Sequence, residues 1–471
     1  MSQEFNRRKF IRTSLLGGLG VTAFGSKALG DIIPYDPEEP FFHTLPQQPL
    51  DKNSPKLRVG FIGVGLRGRG NLDLILRRGD CYVSCIADPE PKAIASTMKM
   101  FEHFKLDKPK AYAQGDHDYL NMLEKENLDA VVISSPWNWH SRQSIAAMKR
   151  SLYVGCEVSG AFSIDQCWNL VNTHEETGSH FFFLENVCYR RDVMAVLNMV
   201  RNNLFGELIH LECGYQHDLR NVKFNDGETI YSRGSEYGEK ALSEAKWRTI
   251  HSLHRNGDLY PTHGVGPIIN YININRGNRF THLVSMSTKS RGLQAYLNDV
   301  DPNHPNAKLE WKLGDVVTTL IQCSNGEKVL VSHDTNLPRP YSLGFRVQGT
   351  KGLWMDVSKT IHVEGVSEDH RWDDQRQWLE KYDHPLWKRY ENDAAGAGHG
   401  GMDWFMINAF VEYAKRNEAP PIDVYDAATM LAITPLSEKS IAMGSAPQPF
   451  PDFTNGRWIS KKPDFGFGDS Y

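Results

Sequence analysis

The chain has no basic stripe. Its 53 Lys and Arg are interspersed with 57 Asp and Glu, for a formal net charge of −4, so nucleic acid is not an expected partner. It also has no long apolar run. The segment 15–24 is short, glycine-rich and weakly apolar, below the roughly 20 residues that cross a bilayer, and no membrane span is expected. Seven cysteines (81, 85, 156, 167, 188, 213, 323) include no CxxC pair, which excludes a zinc ribbon. Their odd number and apolar, strand-like settings read as buried free thiols. His251-x-x-His254 and His399-x-x-x-Asp403 have no third ligand at a recognisable spacing, so no metal is expected. Internal repeats and low-complexity tracts are absent too. Aromatic residues are plentiful at 11 %, with 11 Trp, which suits a protein that presents ring faces to sugars while most rings serve the core.

At 471 residues the chain is long enough for two or three domains with proper cores. Its start carries an address. Asn6-Arg7-Arg8-Lys9-Phe10-Ile11-Arg12 is a twin-arginine pattern, followed by the weakly apolar 15–24 and by small residues at Ser26 and Ala28. Residues 1–30 read as a Tat-type signal peptide, with the periplasm as destination and no lipobox cysteine. Tat carries folded proteins, which suits a cofactor loaded in the cytoplasm. Residues 31–54, rich in Pro, Asp and Glu, read as a leader segment.

Residues 57–68 read Leu-Arg-Val-Gly-Phe-Ile-Gly-Val-Gly-Leu-Arg-Gly, an apolar strand running into Gly63-x-Gly65-x-x-Gly68. Asp88 ends the next strand-like stretch. A strand, a tight glycine turn, a helix start and an acid closing the second strand form a dinucleotide-binding βαβ unit. Gly63 permits the turn, Gly65 lets the backbone approach a pyrophosphate, and Gly68 lets the helix pack closely. The helix N-terminus adds amide donors. Asp88 would accept from the ribose hydroxyls of NAD, and with no Arg directly after it NAD is favoured over NADP.

From residue 55 the pattern alternates. Strands are predicted at 57–62, 82–87, 128–135, 152–157 and 181–185, with helices at 68–78, 91–104, 119–126, 141–150 and 164–177. This is a doubly wound Rossmann domain over 55–188. Ligands bind at the carboxyl ends of such strands, so Gly63 to Arg67, Asp88, residues 136–140, Glu157-Val158 and Glu185-Asn186 should converge. Beyond residue 189 the rhythm changes. After a helix at 192–202, strand-like segments at 207–214, 282–288, 316–322, 328–335 and 344–348 have few helices between them, and a helix follows at 425–443. The second domain, 189–450, is therefore expected to be α+β with an open, mostly antiparallel sheet, followed by a tail at 451–471.

Four polar clusters stand out in this second part: Tyr189-Arg190-Arg191-Asp192, Gly214-Tyr215-Gln216-His217-Asp218, Tyr260-Pro261-Thr262-His263-Gly264-Val265-Gly266-Pro267, and Arg339-Pro340-Tyr341. In the third, Pro261 fixes one side and two glycines the other. A phenol and an imidazole are thereby placed at a helix mouth, where the imidazole can act as a base.

The glycine loop, Ser135-Pro136-x-x-x-His140 and the strand ending in Glu157 resemble the glucose–fructose oxidoreductase and inositol dehydrogenase superfamily. Those proteins usually carry Glu-Lys-Pro where this chain has Glu157-Val158-Ser159, and the lysine is their acid/base. With Val158 there, a simple alcohol dehydrogenase is not expected. Glu157-Val-Ser-Gly-Ala161, Glu185-Asn-Val-Cys-Tyr-Arg-Arg-Asp192, Gly214-Tyr-Gln-His-Asp-Leu-Arg220, the cluster 260–267, Arg339-Pro-Tyr341 and Gly396-Ala-Gly-His-Gly-Gly-Met-Asp403 narrow the match. Together they resemble glycoside hydrolase family 109, the NAD-dependent α-N-acetylgalactosaminidases, from Arg58 to the C-terminus.

That resemblance implies a glycosidase outside the two-carboxylate scheme. The sugar is oxidised at C3 by hydride transfer to NAD⁺, loses its C2 proton, expels the aglycone from C1, adds water and is reduced again, with retention. By the same resemblance, cofactor contacts fall on Leu66, Arg67, Asp88, Trp137, Asn138, Trp139, His140, Glu157, Val158 and Asn186. Sugar contacts fall on Tyr215, Arg248, Tyr260, Pro261, Thr262, His263 and Tyr341. His263 would handle the C3 hydroxyl proton, Tyr189 or Tyr341 the C2 proton or the leaving oxygen, with Tyr260 beside them, and Glu157 would orient nicotinamide or sugar. The substrate implied is a glycan or glycoside ending in α-linked N-acetylgalactosamine. A sugar dehydrogenase with His263 as base and an exported, non-enzymatic sugar-binding protein are the competing readings. The subunit number stays open, a homo-oligomer included.

Overall fold

The computed structural model describes residues 56–471, so the signal read at 1–30 and the leader at 31–54 lie outside the described residues. Strands β1 (Leu57–Ile62), β2 (Cys81–Ala87), β3 (Lys110–Tyr112), β4 (Ala130–Ile133), β5 (Tyr153–Cys156) and β6 (Phe181–Phe183) form one sheet in the order β3-β2-β1-β4-β5-β6. All its pairs are parallel. Val59, Phe61, Val131, Val132 and Phe182 are fully buried, as strands covered by helices on both faces require. Those helices are α1 (Leu66–Leu76), α2 (Pro91–His103), α3 (Asp118–Lys125), α4 (Trp137–Met148) and α5 (Ile164–Thr177). The strand order reverses between β1 and β4, which opens a crevice at their carboxyl ends.

Two boundaries differ from expectation in ways that matter. Helix α4 begins at Trp137, not at 141, because Pro136 is extended at its N-cap and its carbonyl accepts from Trp139 N–H. Trp137 to His140 thus form a helical turn rather than a loop. Strand β6 ends at Phe183, because Glu185 caps a short 3-10 turn, Asn186–Tyr189, by accepting from Val187 N–H.

The second sheet has nine strands. β7 (Leu208–Gln216), β8 (Phe280–Ser287), β9 (Val316–Cys323), β10 (Lys328–Asp334), β11 (Arg346–Gly349), β12 (Gly352–Met355), β13 (Thr360–Val363), β14 (Asp373–Asp374) and β15 (Gln448–Pro449) lie in the order β14-β13-β12-β11-β7-β10-β9-β8-β15. Only β7 and β10 pair in parallel. The expectation of few intervening helices needs correction. The helices expected at 192–202 and 425–443 are present as α6 (Arg191–Arg201) and α9 (Val424–Ala442), but between them lie α7 (Thr262–Tyr271), α8 (Met402–Arg416) and further helices at Gly292–Val300, Gln375–Lys381 and Pro385–Ala394. α8 hid from periodicity because it is buried almost all round, including Trp404, Phe405, Met406, Ile407 and Phe410. It lies against the first domain: a Cβ on Gly155 of β5 would stand 2.7 Å from the Phe410 ring.

The C-terminal segment is docked as well. Phe465 is buried beside Tyr189, and the Gly466 carbonyl accepts from Arg201 and lies 3.0 Å from His384 Nε2. All seven cysteines are buried and free. Among the described residues, no helix is long and apolar enough to cross a membrane.

The glycine turn divides its labour. Gly63 has φ +85°, and a Cβ there would lie 2.5 Å from the Ser135 nitrogen. A Cβ on Gly68 would lie 2.1 Å from the Gly63 carbonyl oxygen, whereas one on Gly65 would meet nothing within 4 Å. Gly63 and Gly68 serve the fold, and Gly65 keeps a space clear. Gly68→Ala is therefore expected to cost about 1–3 kcal/mol in denaturant unfolding, the range for overpacking. Gly65→Ala meets no steric clash and gives up only a glycine N-cap for a poorer one, so it should cost about 1 kcal/mol or less, yet weaken dinucleotide binding.

Candidate active site

A cleft of about 1950 Å³ runs along the carboxyl ends of the parallel strands and is closed on its far side by the second domain. Gly63, Gly65, Leu66, Arg67, Asp88, Trp137, Trp139, His140, Glu157, Val158 and Asn186 all line it. Gly68 sits behind the turn, and Asn138 points to solvent on α4, outside the lining.

The residues present fit a dinucleotide. Gly65 leaves room for a close approach, and α1 starts with no side-chain cap and no acid in its first turn. Its amides and dipole are thus available to a pyrophosphate. The Asp88 carboxylate is aimed by two main-chain donors, Val64 N–H and Glu90 N–H, each at 2.8 Å. Burial pushes its carboxyl above the usual range. Asn186 gives its amide NH₂ to Asp403 at 2.7 Å, while its buried Oδ1 has no protein partner and remains an acceptor at the cleft. His140 has a different task. Its ring nitrogens lie 3.0 Å from the Ser159 carbonyl and 2.6 Å from the Ser135 carbonyl, tying together the two loops that follow β4 and β5.

Arg67 is clamped. Its Nε donates to Glu157 Oε1 at 2.6 Å and its Nη1 to Asp403 Oδ2 at 2.8 Å. Asn71 donates to the same Glu157 oxygen at 2.8 Å, and His399 Nδ1 reaches Asp403 Oδ2 at 2.6 Å. Burial works against the charges, but Arg67 and His399 overcome it and hold the Asp403 carboxyl well below the usual carboxylate range.

The opposite wall is aromatic. The Arg248 guanidinium lies 4.9 Å over the Trp137 ring and 5.2 Å over the Tyr260 ring, and Glu244 fixes it at 2.7 Å. Tyr215 and Tyr260 are 4.5 Å apart between ring centres. Tyr260 OH stands 3.4 Å from His263 Nε2, and His263 Nδ1 lies 2.8 and 3.0 Å from the two oxygens of Glu185. A fully buried carboxylate at Nδ1 assigns the proton there and leaves Nε2 to face Tyr260. Burial raises the Tyr260 phenol well above its ordinary value and raises Tyr341 too. It lowers His217 to about 4, helped by Arg248. At neutral pH the wall therefore holds protonated phenols and a neutral His217 around His263.

The candidate list needs adjusting. Tyr215, Arg248, Tyr260 and His263 line the cleft. Pro261 and Thr262 are buried at the start of α7, and Tyr341 lies behind the wall, its ring 5.0 Å from that of His217. Tyr189 is not in the cleft: its side chain is buried against Phe465, because the 3-10 turn rotates it into the core. Of the other residues at the site, the sequence places Glu185 at the crevice and His217, His399 and Asp403 in notable clusters without giving any of them a role, and Glu244 carries no signal at all. The His399-to-Asp403 spacing was visible, but only as half of a metal site. Among the described residues, no group of three His, Cys, Asp or Glu is placed to hold a metal ion.

Arg67→Met would remove the cation that joins Glu157 to Asp403, leaving Glu157 with Asn71 and Asp403 with His399 and Asn186. Breaking such a pair costs about 3 kcal/mol here, the low end of the buried range because the arginine is partly open to the cleft. Asp403 has a depressed value, so the pair stabilises the fold above the unfolded carboxylate range and loses that effect as pH falls. The gap between variant and parent in urea unfolding is expected to be largest at pH 7 and to shrink toward pH 4, as orphaned carboxylates take up protons.

Residues 57–184 match the family profile for the oxidoreductase family NAD-binding Rossmann fold, and residues 189–460 match that for the glycosyl hydrolase 109 C-terminal domain. A glycosyl hydrolase family 109 protein of Stenotrophomonas maltophilia is 50 % identical over 433 residues, covering 91 % of this chain and 95 % of the relative. An α-N-acetylgalactosaminidase of Tannerella forsythia is 48 % identical over 98 % of this chain and 99 % of its own length. Among solved structures, a levoglucosan dehydrogenase in complex with NADH and levoglucosan superposes with a TM-score of 0.58 at 15 % identity, covering 84 % of this chain and all of that one. At that identity the likeness concerns the fold. The two profile matches and the full-length relatives agree with the cleft built between the two domains: the chain belongs to glycosyl hydrolase family 109, with an NAD-binding Rossmann domain at its N-terminal end.

Proposed function

We propose that the protein removes terminal α-linked N-acetylgalactosamine by a redox-neutral elimination and hydration, with retention, using bound NAD in preference to NADP. The observation that carries this reading is the oriented base, His263 Nε2, set among neutral donors on the wall opposite the dinucleotide loop. The Tannerella relative's name supports the sugar. The carboxylate of Asp88, with no arginine directly after it, supports NAD. When bound, that cofactor supplies hydride acceptance and return at C3 of the sugar.

The chain's own residues do the rest. His263 takes the C3 hydroxyl proton as the C3 hydride leaves, and returns it at the end of the cycle. A C3 ketone acidifies the C2 proton, which passes to a water in the cleft. The C–H electron pair it leaves behind forms the C1–C2 double bond and expels the C1 oxygen, giving an enone. Water then adds at C1 and a proton returns to C2. Tyr260, raised by burial, serves as a hydrogen-bond donor rather than a phenolate base, and Tyr341, also raised, backs the wall behind it. His399 lines the cleft with Nδ1 held by Asp403, which suits proton transfer through Nε2 to the leaving oxygen. Glu157, locked by Arg67 and Asn71, forms a fixed wall beside the reacting sugar. Arg248 in its aromatic box orients the sugar. Residues 1–30, read as a Tat signal, would take the loaded enzyme to the periplasm, which fractionation of cells with and without a functional Tat translocase checks.

Hydrolysis of a nitrophenyl α-N-acetylgalactosaminide in D₂O tests the mechanism. The released sugar should carry deuterium at C2, read by mass spectrometry. His263→Ala should lose turnover by about 10²–10⁴-fold, the worth of a positioned base, while keeping its dinucleotide. Product from the wild type without C2 deuterium would remove the elimination route. Stoichiometric NADH with no nitrophenol would indicate a sugar dehydrogenase instead.

A further inference from the structure

We infer that Glu185 is the positioning residue of this site: it fixes His263 in the Nδ1–H tautomer and supplies the countercharge each time Nε2 takes a proton. The assignment rests on His263 acting as the base, as proposed above.

Glu185 is fully buried just past the end of β6, at the cap of the 3-10 turn. Its carboxylate accepts from Val187 N–H at 3.0 Å and meets the His263 ring at 2.8 and 3.0 Å. A buried carboxylate is costly unless it is paired and hydrogen-bonded. The titratable side chains around the pair are Cys188, Tyr260, Tyr215, Tyr341 and His217, none of them a cation at neutral pH. Arg248 lies 5.2 Å from the centre of the Tyr260 ring and is bonded to Glu244. When protonated, His263 is thus the cation that Glu185 pairs with directly.

The helix carrying His263 is shaped for this approach. A Cβ on Gly266, one turn after His263, would stand 2.6 Å from Glu185 Cγ and 3.1 Å from Cys188 Sγ. A Cβ on Gly264 would stand 2.6 Å from the Gly214 nitrogen of β7. Two glycines therefore let α7 come down onto both the strand and the carboxylate. His263 sits in the first turn of α7, where the helix dipole opposes a proton on the ring, and a carboxylate at Nδ1 offsets that field. Carboxylate, imidazole and phenol stand in one line, Glu185–His263–Tyr260, the base-and-orienter arrangement that activates a hydroxyl. The 3.4 Å Tyr260–His263 contact is a long one, so Nε2 can exchange it for a shorter bond to a substrate hydroxyl.

The test uses the dinucleotide-loaded enzyme. Glu185→Gln keeps the shape and can still accept from Nδ1–H, but carries no charge. Its kcat on a nitrophenyl α-N-acetylgalactosaminide is expected to fall about 10²–10⁴-fold, with KM within about threefold and bound dinucleotide unchanged. In ¹⁵N-histidine-labelled protein, a strongly deshielded Nδ1–H proton, assigned by its absence in His263→Gln, should be present in the wild type and move upfield in Glu185→Gln. Wild-type kcat in Glu185→Gln, or no proton on His263 Nδ1 in the parent, would overturn the assignment. If Glu185→Gln fails to fold, Gly266→Ala displaces the carboxylate without changing charge. It should lose kcat with KM held, and full activity there would equally overturn the assignment. A parent with no activity on the glycoside would sink the functional reading, while the Nδ1–H resonance would still decide Glu185.

Discussion

One guanidinium ties the cofactor loop to both ends of the site. Arg67 stands on the first turn of α1, directly after the glycine turn, and grips Glu157, 90 residues on, and Asp403, 336 residues on. Those partners sit at the end of β5 and at the start of α8. Through Asp403 the clamp extends to Asn186 and His399, and through Glu157 to Asn71. Without this cation, two buried carboxylates would repel at the point where the dinucleotide loop, the strand ends and the returning helix meet. The crossing of the two domains at the cleft therefore depends on an electrostatic neutralisation, reinforced by apolar packing of Phe410 against Gly155.

Opposite the clamp, burial sets the acid–base inventory. Desolvation keeps Tyr260 and Tyr341 as protonated donors and His217 neutral, so the wall gives hydrogen bonds without competing for protons. His263 differs from them by its contact with a carboxylate. A single oriented base among neutral donors suits a reaction that takes a hydroxyl proton as hydride leaves the same carbon, and two facing carboxylates across a glycosidic bond are not needed for it.

Much of this was legible in the sequence because it rests on local rules. The glycine turn with Asp88 gave the dinucleotide site, and the alternation of strand and helix gave the first sheet. The cluster around Tyr260 and His263 was visible through its proline and glycines. What escaped depends on tertiary contact. α8 is apolar on nearly every face, so no period marked it, and the Asp403 at its start could not be placed beside Arg67. Tyr189 looked available but is turned into the core by a 3-10 turn that Glu185 caps. Glu185 itself was legible as a strand-end acid at the crevice, but not as the partner of His263. The signal that could have raised it was Gly264-x-Gly266, two bare positions on different faces of one helix, each implying a close neighbour. The helix start at Trp137 was missed because Pro136 serves as its N-cap, a place where proline fits.

The account stands or falls on bound dinucleotide being used without net consumption. Purified protein should be denatured, and its supernatant run by liquid chromatography, alongside an assay of an α-N-acetylgalactosaminide with no nucleotide added. Near-stoichiometric NAD or NADH in the supernatant, together with many turnovers of released sugar and no accumulation of NADH, is the expected result. Full activity from protein shown to contain no nucleotide would contradict it.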